Sequence, residues 1–261
     1  MKAAPKAVGV DNGGTWIRIQ GIDARSRRVF TLKKPSPTIE KLPAFLQKYL
    51  KRFRGKLNVL RVGSRGVWKQ AARRSLKRAL RGLAKNIVVM SDVEAAWLAA
   101  FKSEGILVIS GTGSIAYGRT AGGRSARAGG LGPEKGDEGS GYWIGKEWLK
   151  RSEGAGERRS EGVRQIAQMT PSVIRKAKRK HAMAFAIILE AQSHLARHVF
   201  QITHHLRYKG TIPLSVSGGV LMNKWFRDGF FRELRRQSVQ FKYFARHTDI
   251  ARALSLPRSE V

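Results

Sequence analysis

The sequence of 261 residues has no cysteine, few acidic residues and no long apolar run. The absence of cysteine excludes disulfide bonds, thiolate metal sites and iron–sulfur clusters. No apolar stretch approaches the roughly 20 residues that a membrane-spanning helix needs, so we expect no membrane insertion. The basic start, Met1–Lys6, leads into a strand-like run, Ala7–Val10, and not into a signal-peptide apolar region. These features predict a cytoplasmic protein.

Acidic side chains are scarce, because 18 Asp and Glu face 51 Lys and Arg and leave a net charge of +33. Such a charge attracts polyanions without specificity. The cations are nevertheless spread along the chain, as in Lys69–Lys85, where they recur every four residues between leucines at helical spacing. The run Arg175–Lys180 has no interleaved aromatic side chain for base stacking. The sequence therefore predicts a basic surface, with at most non-specific nucleic-acid binding.

Apolar periodicity predicts an α/β protein in two halves, each a mixed sheet flanked by helices. In the first half, the predicted strands are Ala7–Val10, Trp16–Ile22, Val29–Leu32, Leu57–Val62 and Ile87–Met90, and the predicted helices are Leu42–Phe53, Val67–Lys85 and Asp92–Phe101. In the second, the strands are Ile106–Ser110, Ile115–Arg119, Ile212–Val216 and Val239–Phe244, and the helices are Tyr142–Lys150, Ser160–Leu206 with a break at Thr170-Pro171, Asn223–Arg236 and Asp249–Leu256. Because the strand–turn–strand pattern restarts, we expect domains at residues 1–104 and 105–261.

Two short glycine turns each join two predicted strands. In Asp11–Thr15, Gly13 and Gly14 allow close approach of an anion, Thr15 offers a hydroxyl, and Asp11 is suited to hold Mg²⁺ through water. The turn Gly111–Ser114 offers similar donors. Facing each other, the two turns could clamp the β- and γ-phosphates of one nucleotide. Both sequences are equally typical of ordinary hairpin turns.

Two further glycine segments and one carboxylate are candidates for chemistry. Gly129–Gly141 is so rich in glycine that a role in close backbone approach is favoured, and Asp137 within it can accept hydrogen bonds from sugar hydroxyls. Ser217–Gly219 suits a flat adenosine, or is a plain tight turn. Asp92 stands between a predicted strand and helix. It either caps the helix or accepts the proton of an attacking hydroxyl.

Five sequence blocks then occur in a fixed order between Val8 and Asn223: VGVDNGGT, SDVEAAWLAAF, ILVISGTGSIAYGR, GGLGPEKGDEGSGYWIG and LSVSGGVLMN. With these blocks the chain resembles the family that joins N-acetylglucosamine kinases, bacterial glucosamine kinases and BadF/BadG-type ATPases of the actin-like superfamily. The resemblance implies an actin/hexokinase-like, ribonuclease H-like fold with a cleft between two domains. It also implies a kinase that uses ATP and Mg²⁺ to phosphorylate N-acetylglucosamine or glucosamine, at the 6-hydroxyl, and that can form a homodimer.

The resemblance assigns a role to each matching residue. The implied nucleotide-binding residues are Asp11, Gly13, Gly14, Thr15, Thr112, Gly113, Gly218 and Gly219. The implied sugar-binding residues are Asp92, Gly130, Leu131, Gly132 and Asp137. Asp92 is the implied catalytic base, and Asp11 the implied magnesium residue.

The chain departs from the family pattern at three places, and these departures leave the sugar and the oligomeric state open. Pro37 stands where relatives carry a sugar-contacting Asn, Leu131 replaces an aromatic residue, and the helical region between Lys150 and Ile212 is short. An activator of a reductive dehydratase is disfavoured because it needs cysteine ligands. A nucleotide or sugar sensor without turnover stays an alternative, whereas a nucleic-acid binder lacks any docking motif.

Overall fold

A computed structural model describes residues 4–53, 55–152, 162–245 and 249–257. The elements up to Lys102 are strands β1 Ala7–Asn12, β2 Trp16–Ile22, β3 Arg28–Pro35, β4 Val59–Ser64 and β5 Asn86–Ser91, with helices α1 Leu42–Leu50, α2 Gln70–Ala79 and α3 Asp92–Ala100. From Ser103 to Ala245 they are β6 Gly105–Ser110, β7 Ser114–Arg119, β8 Ser125–Gly129, α4 Gly141–Ser152, α5 Val163–Ala167, α6 Thr170–Lys178, α7 Ala182–Leu206, β9 Ile212–Ser217, α8 Gly219–Met222, α9 Lys224–Arg236 and β10 Phe241–Tyr243. Helix α10, Ile250–Ser255, follows. The chain divides into two compact units, which are described separately.

The first unit contains a five-stranded mixed sheet in the order β3-β2-β1-β4-β5. Strands β1, β2 and β3 pair antiparallel, whereas β1, β4 and β5 run parallel. The central strand β1 is buried along almost its whole length, with Val8 and Val10 fully inaccessible. This burial explains why its sequence is a continuous apolar run and does not alternate with polar residues.

The second unit repeats this arrangement in a sheet of order β10-β9-β6-β7-β8. Strands β6, β7 and β8 pair antiparallel, and β6, β9 and β10 run parallel. The long helix α7 packs across β7 and β8 and against α9. The predicted fold class, two mixed sheets flanked by helices, is confirmed. None of the helices in the described ranges is both long and apolar enough to cross a bilayer.

Three predicted elements differ in the structure. Strand β8 lies in a stretch to which we assigned no strand, because its alternation rests on small residues, with Ala126 and Ala128 packed on the core. Helix α2 is shorter than predicted. The helical region predicted up to Leu206 is broken at Thr170-Pro171, as expected, where α6 begins with proline in its first turn, but it has a further break between α6 and α7.

The C-terminal helix corrects the expected domain division. Residues 105–261 were expected to form one domain, but α10 belongs to the first unit and packs on β1 and β2. Arg61 Nη1 donates hydrogen bonds of 3.1 Å to the carbonyl oxygens of Leu254 and Leu256. A Cβ on Gly9 would lie 2.1 Å from a backbone oxygen of α10. This approach unites residues more than 190 positions apart, which no local pattern announces.

Candidate active site

The carboxyl ends of three parallel strands bring the first group of polar residues to one edge of the first sheet. The strand register pairs Asn12 with Ser64, and Ser64 with Ser91. Asp11 therefore lies at the end of β1, and Asp92 follows the end of β5 on the same edge. Ligands of open α/β sheets bind at this edge, because the strand-to-helix connections leave their backbone groups available there.

The turn between β1 and β2 is held by side chains of its neighbours. Gly13 donates its N–H to Trp16 O at 3.2 Å, which closes the hairpin. Ser36 Oγ lies 2.7 Å from both Asn12 Oδ1 and Gly13 O. Asn12 Nδ2 donates to Ser64 Oγ at 3.0 Å. The turn is thus an ordered hairpin, while Gly14 and Thr15 at its tip are exposed.

Asp11 is a buried carboxylate with an altered acidity. Its exposed fraction is only 4%, and burial raises its pKa to about 6. Arg18 Nη1, 3.3 Å from Asp11 Oδ2, opposes this rise, whereas the charges of Asp249 and Asp92 add to it. A bound cation would relieve the cost of keeping this carboxylate ionised. In the described part of the chain no group of three acidic or histidine side chains could hold a metal unaided.

Asp92 is the first residue of α3, but it does not cap that helix. Ser91 accepts a hydrogen bond from the Glu94 N–H, and the Glu94 carboxylate accepts one from the Ser91 N–H in return, so these two residues form the capping box. Asp92 Oδ1 accepts from the Val93 N–H at 3.0 Å. Burial raises the pKa of Asp92, and the charge of Arg65 partly opposes the rise. The carboxylate is thus a candidate base that helix capping does not account for.

A second group of glycines gathers at the corresponding edge of the second sheet. The Gly111–Ser114 turn joins β6 to β7 as predicted, with Thr112 exposed at its tip. Gly218 follows β9 directly with a positive φ of 90°, and a Cβ on it would lie 2.3 Å from Ser110 O. Only glycine fits this position, whereas Gly219 beside it faces open space.

Asp137 connects the second turn to the glycine-rich segment. Burial raises the pKa of its carboxyl, and the nearby backbone of Ser114 and Gly132 partly opposes that rise. A Cβ on Gly113 would lie 2.8 Å from Asp137 Oδ2, so the carboxylate packs directly on the turn. Asp137 therefore positions two candidate binding segments with respect to each other.

The remaining candidates lie on the glycine-rich segment itself. Gly130 and Gly132 both have positive φ, and Leu131 between them is 59% exposed. Gly129 covers the ring of His198, a buried side chain whose Nδ1 has no partner. The exposed Leu131 can contact an apolar group of a ligand, but it lacks the flat face that an aromatic ring would offer.

Each unit therefore assembles its own share of the predicted residues, and their binding and catalytic roles stay predictions. In the first unit these are Asp11, Gly13, Gly14, Thr15 and Asp92. In the second they are Thr112, Gly113, Gly130, Leu131, Gly132, Asp137, Gly218 and Gly219.

The sequence reasoning missed two residues that lie beside the β1–β2 turn of the first unit, Ser36 and Arg65. Arg65 directly follows β4, which the strand prediction located, so its place after a parallel strand was an available signal. Ser36 had no such signal, because its contact with the β1–β2 turn depends on tertiary packing.

Comparison with known proteins locates the chain in a family. Residues 8–244 match the BadF/BadG/BcrA/BcrD ATPase family. The chain is 36% identical over 170 residues to an N-acetylmuramic acid/N-acetylglucosamine kinase of Clostridium acetobutylicum. That alignment covers 59% of this chain and 55% of the relative, so the chain spans about half the length of this relative.

Solved structures support the predicted fold. A protein of Chromobacterium violaceum, proposed to be an N-acetylglucosamine kinase, superposes with a TM-score of 0.69 at 19% identity over 95% of this chain and 96% of that one. A similar protein of Porphyromonas gingivalis gives 0.67 at 17% identity over the same shares of the two chains. A ROK hexokinase of Thermus thermophilus gives 0.63 at 16% identity over 95% of this chain and 97% of that one. The expectation of a hexokinase-type α/β fold is confirmed.

Proposed function

Because the chain belongs to the BadF/BadG/BcrA/BcrD ATPase family, we propose that it is an amino-sugar kinase that phosphorylates N-acetylglucosamine or glucosamine with ATP. The observation that carries the proposal is made at the carboxyl ends of the parallel strands of the first sheet. A glycine hairpin, the buried Asp11, and Asp92, which does not serve as a helix cap, lie there. The Clostridium acetobutylicum relative, named as a kinase of two amino sugars, supports the substrate class.

In the proposed reaction Asp92 is the general base. Its carboxylate accepts the proton of the sugar hydroxyl while that oxygen bonds to the γ-phosphorus and the bond to the departing ADP breaks. Burial raises the pKa of Asp92 toward the working pH, which favours proton transfer in the transition state. Positioning and charge neutralisation supply most of the remaining acceleration in such transfers.

Asp11 is the proposed residue for Mg²⁺, which it would hold through water. The fit rests on a buried carboxylate of raised pKa, since a cation would offset the cost of its ionisation. When bound with the nucleotide, Mg²⁺ supplies neutralisation of phosphate charge. Gly13, Gly14 and Thr15 would bind phosphate oxygens from the exposed tip of the hairpin.

The second unit supplies the remaining proposed contacts. Thr112 and Gly113 would bind phosphates, and Gly218 with Gly219 would face the adenosine. In this unit the proposed sugar contacts are Gly130, Leu131, Gly132 and Asp137, and in the first unit the proposed sugar contact is Asp92. Support comes from the packing of Asp137 on Gly113 and of Gly218 on Ser110, which joins these segments within one unit.

Measurement of ADP release with four sugars tests the proposal: N-acetylglucosamine, glucosamine, N-acetylmannosamine and N-acetylmuramic acid. We expect turnover with at least one, and phosphorus–proton NMR of the product then identifies the hydroxyl, which we propose is the 6-hydroxyl. Tight ATP binding without turnover of any sugar would instead indicate a nucleotide sensor of the same fold. The cytoplasmic location and the homodimer stay predictions.

The variant Asp92→Asn tests the assignment of the base. Loss of a general base is expected to lower kcat by roughly 10²–10⁴-fold, with ATP affinity nearly unchanged. Asp228→Asn, an isosteric change on α9 in the second unit, is the control and is expected to keep full activity. A fully active Asp92→Asn enzyme would remove Asp92 from this role.

A further inference from the structure

Arg65 is tied by its backbone to the glycine hairpin of the first unit. It follows β4, which lies between β1, the strand of Asp11, and β5, the strand that precedes Asp92. Its N–H donates to Asn12 O at 3.5 Å, and its carbonyl oxygen accepts from Ser64 Oγ at 3.0 Å. These contacts hold the base of the Arg65 side chain at the edge that carries the proposed chemistry.

The guanidinium of Arg65 lies beside the tip of the hairpin. Nη1 and Cζ are 3.7 and 4.0 Å from the position that a Cβ on Gly14 would occupy. Burial raises the pKa of Asp92, and the positive charge of Arg65 is among the effects that partly oppose this rise. A group held by the exposed tip of the hairpin and facing Asp92 would therefore meet this guanidinium.

The charge of Arg65 is not committed to a carboxylate. Arg18 pairs with Asp11, and Arg73 pairs with Glu94 at 2.6 Å. None of the ion pairs among the described residues includes Arg65, whose side chain is exposed. Of these three cations, Arg65 alone has no carboxylate partner in the described part of the chain, so its charge and its fork of donors are available to an incoming anion.

We propose that Arg65 is a further catalytic residue, which binds the terminal phosphoryl group of ATP and neutralises its charge during transfer to the sugar. This inference rests on the proposed kinase function and adds a residue to it. A planar fork of donors matches two oxygens of a phosphoryl group, and arginine in such a position accelerates phosphoryl transfer strongly. Lysine, a point charge, would replace only part of this effect.

Nucleotide binding tests the contact without any sugar. Isothermal titration with Mg-ATP and Mg-ADP compares the wild type with Arg65→Ala. We expect ATP affinity to fall by roughly 10-fold or more, as for loss of charge-assisted hydrogen bonds, and ADP affinity to change by less than about twofold. Equal losses for both nucleotides, or no loss, would overturn the proposal, even if no sugar were phosphorylated.

Turnover supplies the second measurement, on N-acetylglucosamine and on N-acetylmuramic acid, which carries a carboxylate. Arg65→Ala is expected to lower kcat roughly 10²–10³-fold on whichever of these sugars the wild type uses, with partial recovery in Arg65→Lys. A loss confined to the carboxylate-bearing sugar would show that Arg65 binds the sugar and would overturn the proposal. Inactivity of the wild type itself would contradict the kinase function, and the ATP/ADP comparison would still decide on Arg65.

The variant Arg74→Ala is the matched control. Arg74 is also an exposed arginine of the first unit, but it lies on α2 and takes part in none of the ion pairs of the described chain. Its removal changes the net charge of +33 by the same amount. We expect wild-type kinetics, and a loss equal to that of Arg65→Ala would show that only general attraction of anions was measured.

Discussion

The two glycine hairpins occupy equivalent places in two sheets of the same topology, yet they are held in different ways. The tip of the first, at Gly14 and Thr15, is exposed, and the atoms nearest to a Cβ on Gly14 belong to the Arg65 side chain. In the second, the carbonyl oxygens of Gly111 and Thr112 accept hydrogen bonds from the first residues of α4. The first turn is therefore open to a ligand, whereas the second is also part of the packed structure.

This contrast has a consequence for substitutions. A change in the second hairpin or in its neighbours disturbs folding and binding together, because the same backbone groups serve both. A change at the tip of the first hairpin disturbs mainly binding. Substitutions in and near the two hairpins test this expected difference between stability and binding effects.

The largest effect is expected for Gly218→Ala. The new Cβ would lie 2.3 Å from Ser110 O at a residue with φ of 90°, so we expect a loss of about 3 kcal/mol or more in the free energy of unfolding. Denaturant unfolding measures it. Gly219→Ala is the control, since open space surrounds that position, and its cost is expected to stay below about 1 kcal/mol. Similar stability of the two variants would contradict the packing described at Gly218.

Asp11→Asn is expected to stabilise the free protein at high pH while abolishing phosphoryl transfer. Because folding raises the pKa from 3.8 to about 6, the protonated carboxyl contributes stability that is complete below pH 4 and lost as the pH rises through 6. The difference corresponds to about 3 kcal/mol. Unfolding at pH 5 and pH 8 with a chelator measures about half of it, because the unfolded carboxyl is already ionised at pH 5. An equal pH dependence in both proteins would contradict the raised pKa.

Gly113→Ala and Gly14→Ala compare the hairpins directly. A Cβ on Gly113 would lie 2.8 Å from Asp137 Oδ2, whereas on Gly14 the nearest atom is 3.7 Å away. We expect Gly113→Ala to cost about 1–3 kcal/mol of stability by overpacking, and Gly14→Ala to cost under 1 kcal/mol while raising KM for ATP. Thermal unfolding and steady-state kinetics separate the two effects. A larger loss of stability in Gly14→Ala than in Gly113→Ala would contradict the tighter packing of the second hairpin.

The smallest effect is expected for Ser36→Ala. This change removes the hydroxyl that lies 2.7 Å from Asn12 Oδ1 and Gly13 O, and with it about 1 kcal/mol of stability. Because the hairpin would then be held less tightly, KM for ATP should rise a few-fold with kcat little changed. Ser75→Ala, on exposed α2, is the control. An unchanged KM would show that the hairpin needs no support from Ser36, the residue that follows β3.

Much of the fold could be predicted because it depends on local patterns. The strand β2 and the start of α3 agree with their predicted limits, since alternation and the Ser91–Glu94 capping box are local signals. Strand β8 was missed because alanine and glycine give little contrast between its two faces.

The site residues were named from short motifs, but their arrangement was not accessible in the same way. The sequence left two roles open for Asp92, helix cap or catalytic base, and the structure shows that Ser91 is the cap. Asp137 was named as a sugar contact, and the structure adds its close packing on Gly113 of the second hairpin. Such contacts join residues distant in sequence, so periodicity and propensity carry no record of them.

The sequence by itself determined the two α/β halves, the glycine turns at the strand ends and the family, because each depends on residues close together in the chain. The folded structure was needed to show that α10 joins the first unit and that the Arg65 side chain lies beside Gly14. These features depend on strand register and long-range packing. Register fixes which strand ends are neighbours, and burial fixes the acidity of carboxylates such as Asp11, so both arise only once the chain has folded.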